Sequence, residues 1–172
     1  FPFAVLYLLL VPSRKLAYGR GFLFKSHTGV NMTQLAIQKV LDTYKAAAYA
    51  KDVEAFLSIY DHDIYVFDMW EKWSYDGIDA WPGMVTGWFG SLGDELVKVE
   101  FNELEVTETN EMAVAHMVVT FRGLSAEGTE LRSMQNRMTC VLKNTKGTWK
   151  IIHEHSSSPL EPSTLKAILN KS

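Results

Sequence analysis

The pattern of apolar and polar positions divides the chain into a helical first part and an extended second part. Between Thr33 and Tyr49, the residues Leu35, Ile37, Val40, Leu41, Tyr44, Ala47 and Ala48 recur at helical spacing, which predicts one helix with a single apolar stripe. Lys51-Asp52 interrupts it. Asp52 is a suitable N-cap for a second helix over 53–60, whose buried stripe is Phe56, Leu57 and Tyr60. Ile64 to Phe67 predicts a first strand, which runs into Asp68 and an aromatic stretch holding Trp70, Trp73 and Tyr75. After a turn at Asp76-Gly77, residues 78–92 predict a partly helical segment. Pro82 falls early in it, where a missing N–H is harmless, and Trp81, Trp88 and Phe89 are available to pack over a sheet.

From Leu96 onward the pattern is that of strands, over 96–106, 111–122, 131–143 and 149–156. Asn144-Thr145-Lys146-Gly147 predicts a hairpin between the last two. Alternation holds from Val97 to Phe101 and shifts before Leu104, as a bulge requires. Ala113 to Phe121 is apolar on both faces, the mark of a central strand or of one covered by a partner chain. By simple parity the last strand places Trp149, Ile151, His153 and His155 on one face. Lys150, Ile152, Glu154 and Ser156 fall on the other. A face that passes from tryptophan and isoleucine to two imidazoles predicts the approach to a pocket. A short closing helix is expected over 163–170, after Pro159 and Pro162. Helices followed by long antiparallel strands make an α+β domain, and helices laid across a strongly curved sheet would leave a cone-shaped cavity.

Composition narrows the partners. The 172 residues are 47% hydrophobic and 22% charged, as in a globular protein of one domain. Residues 1–31 hold Arg14, Lys15, Arg20 and Lys25 and no acid. The rest therefore carries 13 basic against 20 acidic side chains, or −7. An acidic domain without a basic cluster is a poor partner for nucleic acid or for an anionic membrane. The single cysteine, Cys140, excludes an internal disulfide and reads as a buried, inert thiol. Phe1 to Pro12 is an apolar run too short to span a bilayer, with its basic residues after it and not before. Residues 1–31 thus read as a leader or upstream extension and 32–172 as the domain. A cytoplasmic location is expected, although the leader leaves it open.

Two stretches carry a family resemblance. Arg137-Met138-Thr139, then Gly147-Thr148-Trp149-Lys150-Ile151-Ile152-His153-Glu154-His155-Ser156, with Ser158-Pro159 after it, is similar to the closing signature of the SnoaL-like branch of the NTF2-like superfamily. Tyr44 to Asp52, followed by Ile64 to Asp68, resembles the opening shared with the ketosteroid isomerases. The resemblance implies a curved antiparallel sheet with helices on its concave face. It also implies a homodimer through the outer sheet face and chemistry without a cofactor. It puts Tyr44 where the isomerases keep an oxygen-binding tyrosine and Asp68 where they keep the proton-moving carboxylate. Their second acid would fall near 137–139, where this chain has none. In the SnoaL-like and kinase-association relatives, Arg137, His153 and His155 would lie near the pocket.

The residues themselves leave alternatives open. Asp68, next to an apolar strand, is either a desolvated acid–base group or a solvated strand-end carboxylate. Tyr44 is either a donor to a substrate oxygen or an edge-of-core tyrosine. His153 and His155, about 7 Å apart if they share a face, line a pocket, fill structural roles, or await a third metal ligand that the sequence does not identify. Arg137 pairs with an acid such as Glu154, lies exposed, or binds a ligand carboxylate. Trp70, Trp73, Trp81 and Trp88 form a cavity wall or a core under the long loop. Two functions are consistent with this. One is a cofactor-independent isomerase or cyclase in which Asp68, Tyr44 and His153 act on a small apolar or aromatic carbonyl compound. The other is a non-catalytic dimeric module that binds a small organic ligand, or merely assembles.

Overall fold

The computed structural model describes residues 32–171, so the expected leader lies outside the described residues. Helix α1 (Met32–Ala50) buries Ile37, Val40, Leu41, Tyr44, Ala47 and Ala48, the stripe that the spacing predicts. Lys51, at φ 56°, ends it in the left-handed region, and its ammonium group donates to the carbonyls of Gly93 at 2.7 Å and Glu95 at 3.1 Å. Asp52 then caps α2 (Val53–Leu57) by accepting from the Ala55 N–H at 2.9 Å. This helix is shorter than expected. Tyr60, placed by the pattern on the helix, instead opens strand β1 (Tyr60–Phe67), because its neighbour Ile59 already bonds through its carbonyl to the Ile151 N–H.

A two-residue strand β2 (Tyr75–Asp76), a turn of 3-10 helix (Ile78–Ala80) and α3 (Pro82–Ser91) follow, with Pro82 in the first turn. Four long strands complete the domain: β3 (Leu96–Glu108), β4 (Met112–Leu124), β5 (Glu130–Thr145) and β6 (Thr148–Ser157). They form one curved six-stranded sheet in the order β2-β1-β6-β5-β4-β3. Every pairing is antiparallel except β1 with β6. The core is the concave face with the helices over it: Val97 and Val99 of β3, Ala115, Met117 and Val119 of β4, and Cys140 and Leu142 of β5 are all buried. The bulge in β3 falls between Asn102 and Glu105, with Glu103 at φ 52°.

Two expectations are corrected. Residues 163–170 form no helix. The Glu161 carboxylate accepts from the N–H groups of Ser163 and Thr164 and from the Ser163 hydroxyl, closing a tight turn, and Leu165 at φ 56° prevents its continuation. The segment then runs on along β5 beyond the end of β6, where the Leu169 carbonyl accepts from the Gln135 N–H at 2.6 Å.

The second correction is on β6. Its pairing with β5 shifts between Val141 and Leu142, so that Ile151 faces Leu142, His153 faces Val141, and Ile152 is the extra residue. Strict alternation fails there. Beyond the bulge Glu154 and Ser156 turn to the concave side and are buried, while His153 and His155 turn to the convex side. No helix among the described residues is long and apolar enough to cross a membrane.

Candidate functional site

The helices do not fill the concave side completely. A cavity of about 480 Å³ remains, within the usual range for small-molecule sites. Tyr44 of α1 and Phe56 of α2 close one side, and Trp81, Met84 and Trp88 from the α3 region form another. Phe121 of β4 and Met134, Asn136 and Met138 of β5 form the floor, and Asp68, Glu154 and Ser156 bring the carboxylates and hydroxyl. Trp70, Glu71 and Lys72 line it from the segment between β1 and β2. Trp70 is half exposed, and the Lys72 ammonium group lies 5.3 Å over the ring of Tyr75.

Asp68 sits one residue beyond β1, beside the end of β6. The Ser156 hydroxyl donates to its Oδ1 at 2.7 Å and in turn accepts from the Met69 N–H at 3.1 Å. Oδ2 is buried and has no hydrogen-bond partner among the described residues. Burial pushes the Asp68 pKa up, and the Ser156 hydroxyl and the Met69 and Trp70 amides offset part of the rise.

Glu154 is the more deeply placed acid, only 4% exposed. It stands between Val66 of β1 and Cys140 of β5, and its Oε2 accepts from the Tyr60 hydroxyl at 2.8 Å. It forms no ion pair among the described residues. Burial raises its pKa to about 7, against the opposing Tyr60 bond, and the charge of Asp68 adds to the rise. Tyr44 and Tyr60 are held well above the ordinary tyrosine value by burial and then by Glu154, so both remain donors at neutral pH. Two carboxyl groups in unlike surroundings, with two buried phenols beside them, can divide acid and base roles.

The other residues singled out from the sequence separate clearly. Tyr44, Asp68, Trp70 and Trp88 line the cavity. Trp73 is 94% exposed and is not part of its wall. His153 and His155 lie on the convex face against Phe67, with ring centroids 5.3 and 5.6 Å from it, and His153 Nδ1 donates to the Tyr65 carbonyl at 2.7 Å. Arg137 is exposed, two positions along β5 from Thr139, which pairs with outward His155. It therefore lies on the face opposite Glu154 and does not pair with it. The bulge at Ile152 accounts for the histidines. Glu154 is the site residue that parity missed, and the visible signal was the Ile151-Ile152 doublet, two β-branched apolar residues where alternation calls for one. Among the described residues no group of three or more His, Cys, Asp or Glu side chains is arranged to hold a metal ion.

The model of the SnoaL-like domain matches residues 37–161, which includes every residue of the cavity wall. The chain belongs to the SnoaL-like domain family. Its fold is that of an NTF2-like protein of unknown function from Pseudomonas putida, with a TM-score of 0.72 and 23% identity over 84% of this chain and 99% of that one. Aln2 from a Streptomyces species superposes with a TM-score of 0.66 at 12% identity, covering 75% of this chain and 92% of that one. A protein from Novosphingobium aromaticivorans, provisionally assigned as a scytalone dehydratase, gives 0.63 at 14% identity, covering 78% and 90%. Identities this low establish the shared fold alone. No curated protein matches the chain.

Proposed function

We propose that this SnoaL-like domain is a cofactor-independent proton-transfer enzyme, of isomerase or cyclase type, for a small apolar or aromatic carbonyl compound. The observation that carries the reading is one cavity walled by aromatic and methionine side chains and holding two carboxyl groups with unlike partners, Asp68 and Glu154. Asp68, the shallower of the two, takes a proton from the carbon next to the substrate carbonyl. Glu154 in its protonated form and the Tyr44 hydroxyl supply hydrogen bonds to the oxygen as it becomes an enolate. Tyr60 orients Glu154 through the bond to Oε2. The provisional dehydratase assignment of a structural neighbour is consistent with this class of chemistry.

Exchange of the α-protons of 2-tetralone in D₂O, followed by proton NMR, tests it. The protein is expected to accelerate exchange over buffer, and Asp68→Asn is expected to lose at least about 100-fold of that acceleration with little change in melting temperature. Binding of 2-tetralone without any acceleration would leave a non-catalytic ligand-binding module, a reading that the tie between Asp68 and Ser156 supports.

The convex face supports pairing with a second copy. Tyr65, Phe67, Met112 and Val114 are large apolar side chains exposed there. Sedimentation is expected to give a dimer, and Phe67→Arg a monomer. A monomeric parent protein at tens of micromolar would exclude the pairing.

A further inference from the structure

We infer that the cavity selects an organic cation, a small amine or quaternary ammonium ion on an aromatic or apolar body, and rejects an acid. This rests on the cavity being the ligand site, but not on its being catalytic. Of its three carboxyl groups Glu71 is exposed, while Asp68, just beyond β1, and Glu154, on β6, are drawn inside, and neither of these two forms an ion pair among the described residues. The one basic residue in the wall, Lys72, is exposed. Arg137, which would have been the partner of an acidic ligand, stands on the other face of the sheet. A carboxylate entering this space would be desolvated beside the Asp68 carboxylate and would hold Glu154 protonated. An ammonium ion would be desolvated beside Asp68 of opposite sign and would favour the ionised form of Glu154, which titrates at about 7.

The rest of the wall suits the same ligand. The rings of Trp70, Tyr75, Trp88 and Phe121 line the same cavity as the carboxyl groups, and aromatic faces attract cations, more strongly where water is excluded. Lys72 already uses one such face, that of Tyr75. The arrangement joins an aromatic wall to two acids that are withdrawn from solvent, and Glu154 is the more deeply buried of the two. Among the described residues Glu154 has a single hydrogen-bond donor, the Tyr60 hydroxyl, for its two oxygens.

Three probes of similar shape and different charge test the inference: phenyltrimethylammonium, tert-butylbenzene and benzenesulfonate, titrated while following intrinsic tryptophan fluorescence and melting temperature. The cation is expected to bind at least about tenfold more tightly than the neutral isostere, and benzenesulfonate not at all. Glu154→Gln, which keeps the shape and the Tyr60 bond, is expected to remove most of the preference for the cation. Equal or tighter binding of tert-butylbenzene would overturn the charge preference while leaving the cavity as an apolar site. Binding of benzenesulfonate would overturn it directly. Failure of all three probes would overturn it as well, and the tetralone exchange then reports independently on the proposed activity.

Discussion

Glu154→Gln is expected to stabilise the protein at alkaline pH and to flatten its dependence of stability on pH. The sign follows from the direction of the shift. Glu154 in the folded protein titrates at about 7, above its ordinary value of 4.5, so between these values the folded state holds a proton that the unfolded chain has released. Stability from this group is therefore complete below pH 4.5 and is lost as pH rises through 7. The loss is about 3 kcal/mol at one unit of pKa per 1.36 kcal/mol, a large share of the total for a domain of this size. Asp68, also raised, acts in the same direction. A glutamine accepts from Tyr60 as the carboxylate does but has no proton to lose. Urea unfolding at pH 4.5 and pH 8.5 checks this. The variant should differ little from the parent in stability at pH 4.5 and exceed it by up to about 3 kcal/mol at pH 8.5. A difference that does not vary with pH would show that Glu154 is not the buried acid described.

Phe56→Ala is expected to cost about 3–5 kcal/mol in unfolding free energy. Phe56 is 1% exposed and stands at the centre of the aromatic packing that joins the helices. Its ring centroid lies 4.6 Å from Tyr44, 5.5 Å from Phe89, 5.7 Å from Tyr60 and 5.9 Å from Trp88. Truncation removes these contacts together, and because the space already adjoins the cavity, the walls cannot collapse to refill it. The five-residue helix α2 has little else to anchor it, since Phe56 is its one fully buried residue. Denaturant melts of the parent and the variant measure the loss, and a cost below about 1 kcal/mol would mean that the aromatic cluster does not hold the helices to the sheet.

Much of the architecture was legible along the chain. The stripe of α1, the Asp52 cap, the bulge after Phe101 and the hairpin at Asn144 to Gly147 are local in cause. Each depends on residues within a few positions of one another, and the structure has all four. The closing segment was not legible, because the Glu161 side chain competes for the backbone groups that a helix would have used.

For the site the division is sharper. The residue types and the periodicity determined an α+β domain, placed Tyr44 on the buried face of its helix and put Asp68 at the end of an apolar strand. The side of the sheet reached by the last five residues of β6, from His153 on, was decided only by tertiary pairing. Strand parity depends on an unbroken ladder, and one extra residue, Ile152, accommodated opposite the Val141–Leu142 step, sends Glu154 and Ser156 inward and both histidines outward. A side chain's type is local, but the face it occupies depends on the register of a neighbouring strand, which no stretch of sequence records by itself.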